Sequence, residues 1–271
     1  MQVVLLLILG LCLSPLQAQT PPPKPADPQA GVPLSLVYPI QPQAAVPVND
    51  EPHHAHELQN DYVHVYNVTV SPLDATLLHQ HDLPYIYLML GQVDIVNAVQ
   101  GQAEARMRLE DGATRYSPGG FAHLVRTDAG IPFHNITIEL VHPQGSPRNL
   151  GAQAADRPLG SCPARSSDSR NPQIPAEQVV RCFETDEVEL DQVQVEGGKD
   201  YEEAAPKTAA LLVAMSNADL EVFLGREDAG FLHAGDVLWL PAGTARRITD
   251  FLGIRSNFLL LSFKHSALSA K

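Results

Sequence analysis

Short runs rich in β-branched and aromatic residues recur along most of this chain. The first clear run, "YVHVYNVTV" at 62–70, alternates between its two sides as a half-buried strand does. The runs "YIYLML", "VDIV", "ARMRLE", "HLVRT" and "NITIELV" follow, with turn sequences such as "LEDGA" and "TDAG" between them. Several short strands at regular spacing predict an all-β sandwich or barrel with little helix.

The second half of the chain repeats this order of elements. Its runs are "VELDQVQV", "AALLVAMS", "LEVFLG", "GDVLWLPAG", "ARRITD" and "FLLLSF". Each half contains a strand, an apolar run, a Gly-Asp or Asp-Gly turn, a Pro-x-Gly and a final strand, which indicates an internal repeat. We therefore predict two tandem barrels, at 48–145 and 183–271. The segment 146–182 is rich in Pro, Ser, Asn and Arg and predicts a linker, in which "PAEQVVRCF" is compatible with a turn or two of helix.

The first residues predict export. Residues 2–13 are almost wholly apolar, and the small residue Ala18 follows them. Such an apolar core is too short to span a bilayer and is typical of a cleaved leader. We therefore predict a signal peptide at 1–18 and a secreted or periplasmic protein. A lipid anchor at Cys12 is the alternative, and Leu11 disfavours it because a small residue is wanted there.

The composition after the leader limits the partners. Residues 19–47 are so dense in proline that we expect an extended tether rather than a helix or a central strand. No later stretch approaches the roughly 18 apolar residues of a membrane helix, so we expect no membrane span. The 18 basic and 31 acidic side chains give a net charge of −13. A strongly acidic protein is a poor partner for nucleic acid, and a small-molecule ligand is the partner that we expect.

Removal of the leader leaves two cysteines, Cys162 and Cys182. In an exported protein an even number of cysteines commonly pairs. We predict a disulfide between them that closes a loop of about 20 residues. The alternative is two free thiols.

Two histidines stand one residue apart at the start of the apolar run in "ATLLHQHDLPYIYLMLG". Side chains at i and i+2 on a strand point to the same face, so His79 and His81 share a face. A divalent metal is the commonest reason for two imidazoles on one inward face. Taken alone, the pattern is also typical of two solvated histidines at a strand end.

A second segment, "DGATRYSPGGFAHLVRT", adds a third histidine. Asp111-Gly112 suits a turn, and Pro118 with Gly120 suits a tight turn into the next strand. His123 begins that strand, from which it can meet the first pair.

Together these segments resemble the two motifs of the cupin superfamily, G-x5-H-x-H-x3,4-E-x6-G and G-x5-P-x-G-x2-H-x3-N. The residues kept are His79, His81 and Gly91 in the first motif, and Gly112, Pro118, Gly120 and His123 in the second. The departures are Leu73 for the leading glycine, Pro84 for the glutamate and Thr127 for the asparagine. The resemblance implies jelly-roll-like, RmlC-like barrels in which His79, His81 and His123 hold one divalent metal, with Fe, Mn, Zn and Ni not distinguished. Asp82 alternates with His81 and points away.

The second half keeps only part of the pattern. Gly235, Pro241 and Gly243 repeat the second motif, but Arg246 stands in the histidine slot. Arginine stays protonated and offers no lone pair, so we expect no metal there. Glu202 and Glu203 fall where the first-motif histidines would lie, and an ion pair with Arg246 is expected. The alternative is a polar ligand in a metal-free pocket. The resemblance thus implies a bicupin with a degenerate C-terminal motif.

The other histidines are interpreted as non-ligands. His53, His54 and His56 in "DEPHHAHEL" are interpreted as a solvated lead-in to the barrel, with a pocket rim or a metal site as the alternative. His64 and His134 are assigned to surface or packing positions.

Two classes of function stay open. Three neutral imidazoles leave a divalent ion its full charge and at least one open position, from which it can activate water, polarise an oxygen or bind dioxygen. The first class is a small-molecule-binding or structural bicupin, favoured by the missing glutamate and the degenerate second motif. The alternative is a metal-dependent enzyme of the dioxygenase, isomerase or hydrolase kind. Tyr85 and Tyr87 lie near the histidines in sequence, and we assign no catalytic residue.

Overall fold

The computed structural model describes residues 44–128, 130–151, 154–163, 177–253 and 255–264. The signal peptide predicted at 1–18 and residues 19–43 of the predicted tether lie outside this part of the chain. The described residues form twenty strands and two 3₁₀ turns, Val48–Asp50 and Ala154–Asp156, and contain no α-helix. None of their helical turns is long and apolar enough to cross a bilayer. The prediction of an all-β chain is confirmed.

The first ten strands form two five-stranded sheets. They are β1 (Val46–Pro47), β2 (His54–Gln59), β3 (Val63–Val70), β4 (His79–His81), β5 (Tyr85–Met89), β6 (Val93–Val99), β7 (Ala105–Leu109), β8 (Thr114–Ser117), β9 (Phe121–Thr127) and β10 (Phe133–Leu140). Sheet A has the order β1-β4-β9-β6-β7, and sheet B has the order β2-β3-β10-β5-β8. Apolar side chains of both sheets meet between them, including Val68 and Met89 of sheet B and Ile95 and Val125 of sheet A.

The other ten strands form a six-stranded and a four-stranded sheet. They are β11 (Arg148–Asn149), β12 (Glu177–Glu184), β13 (Val188–Glu196), β14 (Asp200–Glu203), β15 (Ala210–Ala214), β16 (Asp219–Leu224), β17 (Glu227–His233), β18 (Val237–Leu240), β19 (Arg246–Asp250) and β20 (Arg255–Phe263). Sheet C has the order β11-β12-β13-β20-β15-β18, and sheet D has the order β14-β19-β16-β17. Leu212, Leu220, Ile248 and Phe258 are fully buried between them.

The two halves have the same topology. Strands β4, β9, β6 and β7 of sheet A correspond in order to β14, β19, β16 and β17 of sheet D. Strands β2, β3, β10, β5 and β8 of sheet B correspond to β12, β13, β20, β15 and β18 of sheet C. The chain is therefore two tandem jelly-roll-like barrels, as the repeated element order predicted.

Sheets B and C pack against each other through their outer faces. Ile136, Ile138 and Leu140 of β10 lie in one buried cluster with Leu259 and Leu261 of β20. An aromatic group extends this contact: the ring of Tyr62 lies 5.2 Å from that of Trp239 and 4.9 Å from that of Phe263, centroid to centroid. Sheets B and C are consequently covered on both faces.

Two expectations about the connecting segments need correction. The segment 175–183 was expected to allow a helical turn, but Glu177–Glu184 form β12, which pairs with β13. The expected boundary between linker and second barrel, at 182/183, therefore lies inside a strand. Tertiary structure favours a strand over a helical turn in this segment, because Cys182 and Phe183 are buried in the cluster between sheets B and C. Val46–Pro47, at the end of the expected tether, form the edge strand β1, where the missing N–H of proline is tolerated.

Cys162 and Cys182 form the predicted disulfide. The segment before Cys162 lies along β8 at the edge of sheet B. The Tyr116 N–H donates to the Gly160 carbonyl at 2.7 Å, and the Cys162 N–H donates to the Thr114 carbonyl at 3.2 Å. Because Cys182 belongs to β12, the disulfide links the edge of sheet B to sheet C.

Candidate metal centre

Strands β4 and β9 place the three predicted ligands on one inward face. His79 and His81 alternate on β4, and His123 on β9 is the antiparallel register partner of His79. Register partners share a face of the sheet. The ring centroid of His123 lies 4.6 Å from that of His79 and 5.4 Å from that of His81. The structure thus brings all three predicted residues together.

Two glycines allow β9 to start beside β4. Gly119 has a φ of +68°, and a Cβ built there would lie 2.1 Å from the carbonyl oxygen of Leu83. Gly120 has a φ of +77°, and its N–H donates to the His81 carbonyl at 2.7 Å. Residues with a Cβ rarely adopt this backbone and would clash at the first position. The Pro-x-Gly of the sequence therefore sets where β9, the strand that carries His123, begins.

A fourth histidine, His54 on β2, joins the group. Its side chain is buried, and its ring centroid lies 4.6 Å from that of His79 and 5.8 Å from that of His81. One ring nitrogen from each of these three residues lies within 4.8 Å of the others. The interpretation of His54 as part of a solvated lead-in is therefore wrong, although its neighbour His56 is exposed. The buried carboxylate of Glu51 explains this position, because Nδ1 of His54 donates to it at 2.6 Å.

Each of the four imidazoles has a hydrogen-bond acceptor at Nδ1. The acceptors are the Leu77 carbonyl for His79 (2.9 Å), Glu139 Oε1 for His81 (3.0 Å), Asn97 Oδ1 for His123 (2.8 Å) and Glu51 Oε2 for His54 (2.6 Å). A proton on Nδ1 satisfies each acceptor and leaves the Nε2 lone pair free for a metal. Within the described part of the chain, Nε2 of His79 and Nε2 of His123 are buried without a hydrogen-bond partner. A bound metal ion fits these atoms.

Burial keeps His79, His81 and His123 neutral at pH 7. Burial, together with the proximity of His54, lowers the pKa of His79 to about 3 and that of His81 to about 3. Burial, together with the neighbouring histidines, also holds the pKa of His123 well below its usual value. Neutral imidazoles carry the lone pairs that a metal needs.

Two buried carboxylates lie behind the histidines. Burial raises the pKa of Glu139 to about 7, although neighbouring histidines oppose the rise. Burial also acts to raise the pKa of Glu51, but hydrogen bonds from His54 and His53 outweigh it and bring the value to about 2. Neither acid corresponds to the motif glutamate. Both hold an imidazole through Nδ1, as carboxylates behind metal-bound histidines do.

A cavity of about 80 Å³ adjoins the four histidines. Its apolar walls come from both sheets and include Val68, Met89, Ile95, Met107, Leu109 and Phe133. Tyr85 and Tyr87 line it, and the Tyr85 ring stacks on that of His81 with centroids 4.4 Å apart. The four histidines thus line a mainly apolar cavity in the interior of the first barrel.

Comparison with known proteins bears on the fold. No family model and no curated protein matches this chain. Among solved structures, AerE from Microcystis aeruginosa superposes with a TM-score of 0.53 at 12% identity, over 79% of this chain and 99% of AerE. A cupin 2 conserved barrel domain protein from Leptotrichia buccalis gives 0.50 at 8% identity, over 78% and 88%. The chain has the cupin fold.

A third structure with the cupin fold, salicylate 1,2-dioxygenase from Pseudaminobacter salicylatoxidans, gives a TM-score of 0.50 at 12% identity. The superposition covers 78% of this chain and 76% of the dioxygenase. In each comparison the shared region is long enough to include both barrels.

Two histidines outside the centre have structural roles in this cupin fold, as interpreted from sequence. Nδ1 of His64 lies 3.7 Å from Glu139 Oε2, whereas His81 contacts the other oxygen of that carboxylate. Nε2 of His134 is hydrogen-bonded to Asn67 Oδ1 at 2.8 Å on the outer face of sheet B.

The second barrel has an ion pair in the corresponding place. Glu203 on β14 is the register partner of Arg246 on β19, as His79 is of His123 in the first barrel. Arg246 is 3% exposed and pairs with Glu203, whereas Glu202 is exposed. The expected ion pair between Arg246 and an inward acid is therefore present in the second barrel.

Replacing Glu203 by alanine should destabilise the second barrel. The change leaves the buried guanidinium of Arg246 without its carboxylate, which is expected to lower the free energy of unfolding by about 1–3 kcal/mol. Urea denaturation followed by circular dichroism measures this. Glu202→Ala is the matched control and should change the value by less than about 0.5 kcal/mol. Equal losses in the two variants would show that the pair contributes nothing.

Proposed function

We propose that the first barrel binds one divalent metal ion through His54, His79, His81 and His123 and receives a small molecule in the adjoining cavity. The observation that carries this proposal is the pair of buried, unpartnered Nε2 atoms on His79 and His123. An unpaired buried polar atom is unfavourable, and an ion between the rings would remove that cost.

The donor set supports a transition metal. Four imidazole nitrogens suit Zn, Fe, Ni or Cu better than the oxygen-preferring ions Mg and Ca. When bound, such an ion supplies a Lewis-acid centre at the floor of the cavity. Asn97, Glu51 and Glu139 hold the Nδ1 sides of three of the rings and so fix the direction of their lone pairs.

A binding role is the one that the cavity supports. Of the described residues that line it, none is Asp, Glu, Lys or Arg, and both nearby carboxylates are behind the histidines. The lining histidines are assigned to the metal, and Tyr85 and Tyr87 are the other titratable side chains among the described lining residues. Export is part of the proposal, and the disulfide supports it because such bonds persist in oxidising compartments.

Elemental analysis of the mature protein, purified without chelator, tests the metal site. We expect about one transition-metal ion per chain, the stoichiometry of a single closed set of histidine ligands. His79→Ala and His123→Ala should each lower metal content by roughly tenfold or more under dialysis. His54→Ala tests the fourth position in the same way.

His134→Ala is the matched control, because His134 is a half-buried histidine outside the cavity, and it should keep the wild-type metal content. Circular dichroism of each variant checks that it is folded. A wild-type protein that retains no metal after incubation with Zn, Fe, Mn, Ni and Cu would refute the proposal. Two ions per chain would refute the assignment of a single site.

A further inference from the structure

We infer that His54 and Glu51 couple metal binding to the closure of one side of the first barrel. This side, called the seam, is where β2 at the edge of sheet B faces β1 and β4 at the edge of sheet A. Residues 48–53, called the crossing segment, connect β1 to β2 across it. The inference rests on the proposed function, because it takes the four histidines as the ligands of one ion. It adds a regulation of that site.

The four histidines are divided between the two sheets. His79 and His81 on β4 and His123 on β9 belong to sheet A, whereas His54 on β2 belongs to sheet B. The ring centroid of His54 lies 4.6 Å from that of His79 across the seam. An ion that uses a nitrogen from each sheet therefore links the sheets, and opening the seam removes one of its four ligands.

Glu51, in the crossing segment, joins the same two sides through its buried carboxylate. Oε2 accepts from the His53 N–H at 2.8 Å and lies 2.6 Å from Nδ1 of His54, whereas Oε1 accepts from the Leu77 N–H at 3.0 Å. Leu77 precedes β4, and its carbonyl oxygen lies 2.9 Å from Nδ1 of His79. One carboxylate thus connects the His54 ring to the backbone that holds the His79 ring.

The other contacts of β1 and the crossing segment are local. Strand β1 is two residues long, and the Val46 N–H donates to the Leu78 carbonyl at 3.0 Å. Val48 is buried in the core of the first barrel, and the side chain of Asn49 accepts from the Tyr66 hydroxyl. A short segment with few buried contacts opens locally at a lower free energy than a central strand does. Loss of the link through His54 should therefore change this opening measurably.

Thermodynamic linkage sets the size of the effect. If opening the seam removes His54 from the ion, the ion disfavours opening by the same factor by which His54 strengthens metal binding. We expect this factor to be about tenfold or more, as for the variants of the other histidine ligands.

Hydrogen exchange followed by mass spectrometry tests the inference on the mature protein with and without zinc, an ion without redox chemistry. We expect zinc to slow amide exchange in peptides that cover 46–54 by about tenfold or more. In His54→Ala, saturated at a higher zinc concentration, the slowing should fall below about twofold. Peptides from β17 in the second barrel are the internal control and should exchange at the same rate with and without zinc.

Glu51→Gln is the second variant. Its amide replaces one carboxylate oxygen by an NH₂ group, which cannot accept from the backbone N–H of His53 or Leu77. We expect faster exchange in 46–54 and about tenfold weaker zinc binding, measured by competition with a chelator. Glu57→Gln is the matched control, because Glu57 is exposed on β2, and it should change neither quantity. Circular dichroism checks that both variants are folded.

Three results would overturn the inference and leave the proposed metal site in place. The first is a wild-type protein that holds about one zinc ion per chain while its 46–54 peptides exchange at the metal-free rate. The second is a His54→Ala variant that keeps the wild-type slowing at zinc saturation. The third is equal zinc affinity in Glu51→Gln and Glu57→Gln. A wild-type protein that takes up no metal would instead refute the proposed function, and the inference with it.

Discussion

Ile138→Ala is expected to lower the free energy of unfolding by about 2–5 kcal/mol. Ile138 is 0% exposed on the outer face of β10, within the apolar cluster that joins sheets B and C. Truncation there removes apolar contacts and leaves a cavity that sheets packed on both faces cannot close. Because the cluster belongs to both barrels, we expect the midpoint of unfolding to shift for both together.

Two signals in urea denaturation measure this. Circular dichroism reports on all strands, and the fluorescence of Trp239, the one tryptophan of the chain, reports on the second barrel and its contact with Tyr62 of the first. Ile131→Ala is the matched control, since Ile131 is 54% exposed, and it should cost less than about 0.5 kcal/mol. A Trp239 transition that does not move in Ile138→Ala would show that the barrels unfold independently.

Removing the disulfide should lower the free energy of unfolding by about 3 kcal/mol. The bond between Cys162 and Cys182 spans 20 residues of sequence, and closing such a loop restricts the unfolded chain by about that amount. The structure adds a local reason, because Gly160 and Cys162 are hydrogen-bonded to β8 while Cys182 lies in β12. The double variant Cys162→Ser with Cys182→Ser should therefore unfold at a lower urea concentration.

Reduction provides the control. A reductant added to the wild-type protein should reproduce the loss of the double variant, and the same reductant should leave the double variant unchanged. If the wild-type midpoint is insensitive to reductant, the bond contributes nothing to stability. Thiol titration of the denatured, unreduced mature protein should find no free thiol from these two cysteines.

The sequence predicted those histidines of the centre that follow a recognisable local pattern along the chain. His79 and His81 alternate on one strand, and His123 follows a Pro-x-Gly turn, so both features can be read without knowing which strands pair. His54 was missed because it lies 25 residues before His79 on β2, in the other sheet, and only tertiary structure brings β2 to the floor of the cavity. The buried acid that holds it, Glu51, gives no sequence signal of its own.

Strand β10 did carry an overlooked signal. In "NITIEL" the polar residues Asn135, Thr137 and Glu139 alternate with apolar residues, which is the pattern of a strand with one polar face. Here the apolar face packs on sheet C and the polar face lines the interior of the first barrel. Alternation shows that two faces differ, but it does not show which one is inside.

Departures from a motif were informative in different ways. Arg246 in a histidine slot predicted an ion pair, because an arginine so placed needs an acid, and Glu203 supplies it. Leu73 stands in the place of the leading glycine. Its backbone nevertheless keeps the left-handed conformation, with a φ of 63°, so the turn persists without its usual residue. Surrounding structure can impose that conformation where sequence alone would not predict it.

The contact between the outer faces of sheets B and C limits which residues of the two barrels can be substituted. A residue that faces the interior of the second barrel packs within that barrel. The ion pair of Arg246 with Glu203 lies there. A residue on the outer face of sheet C packs against both barrels, because sheet B of the first barrel contacts that face. Residues inside the second barrel can therefore be replaced with less effect on the first barrel than residues on the outer face of sheet C.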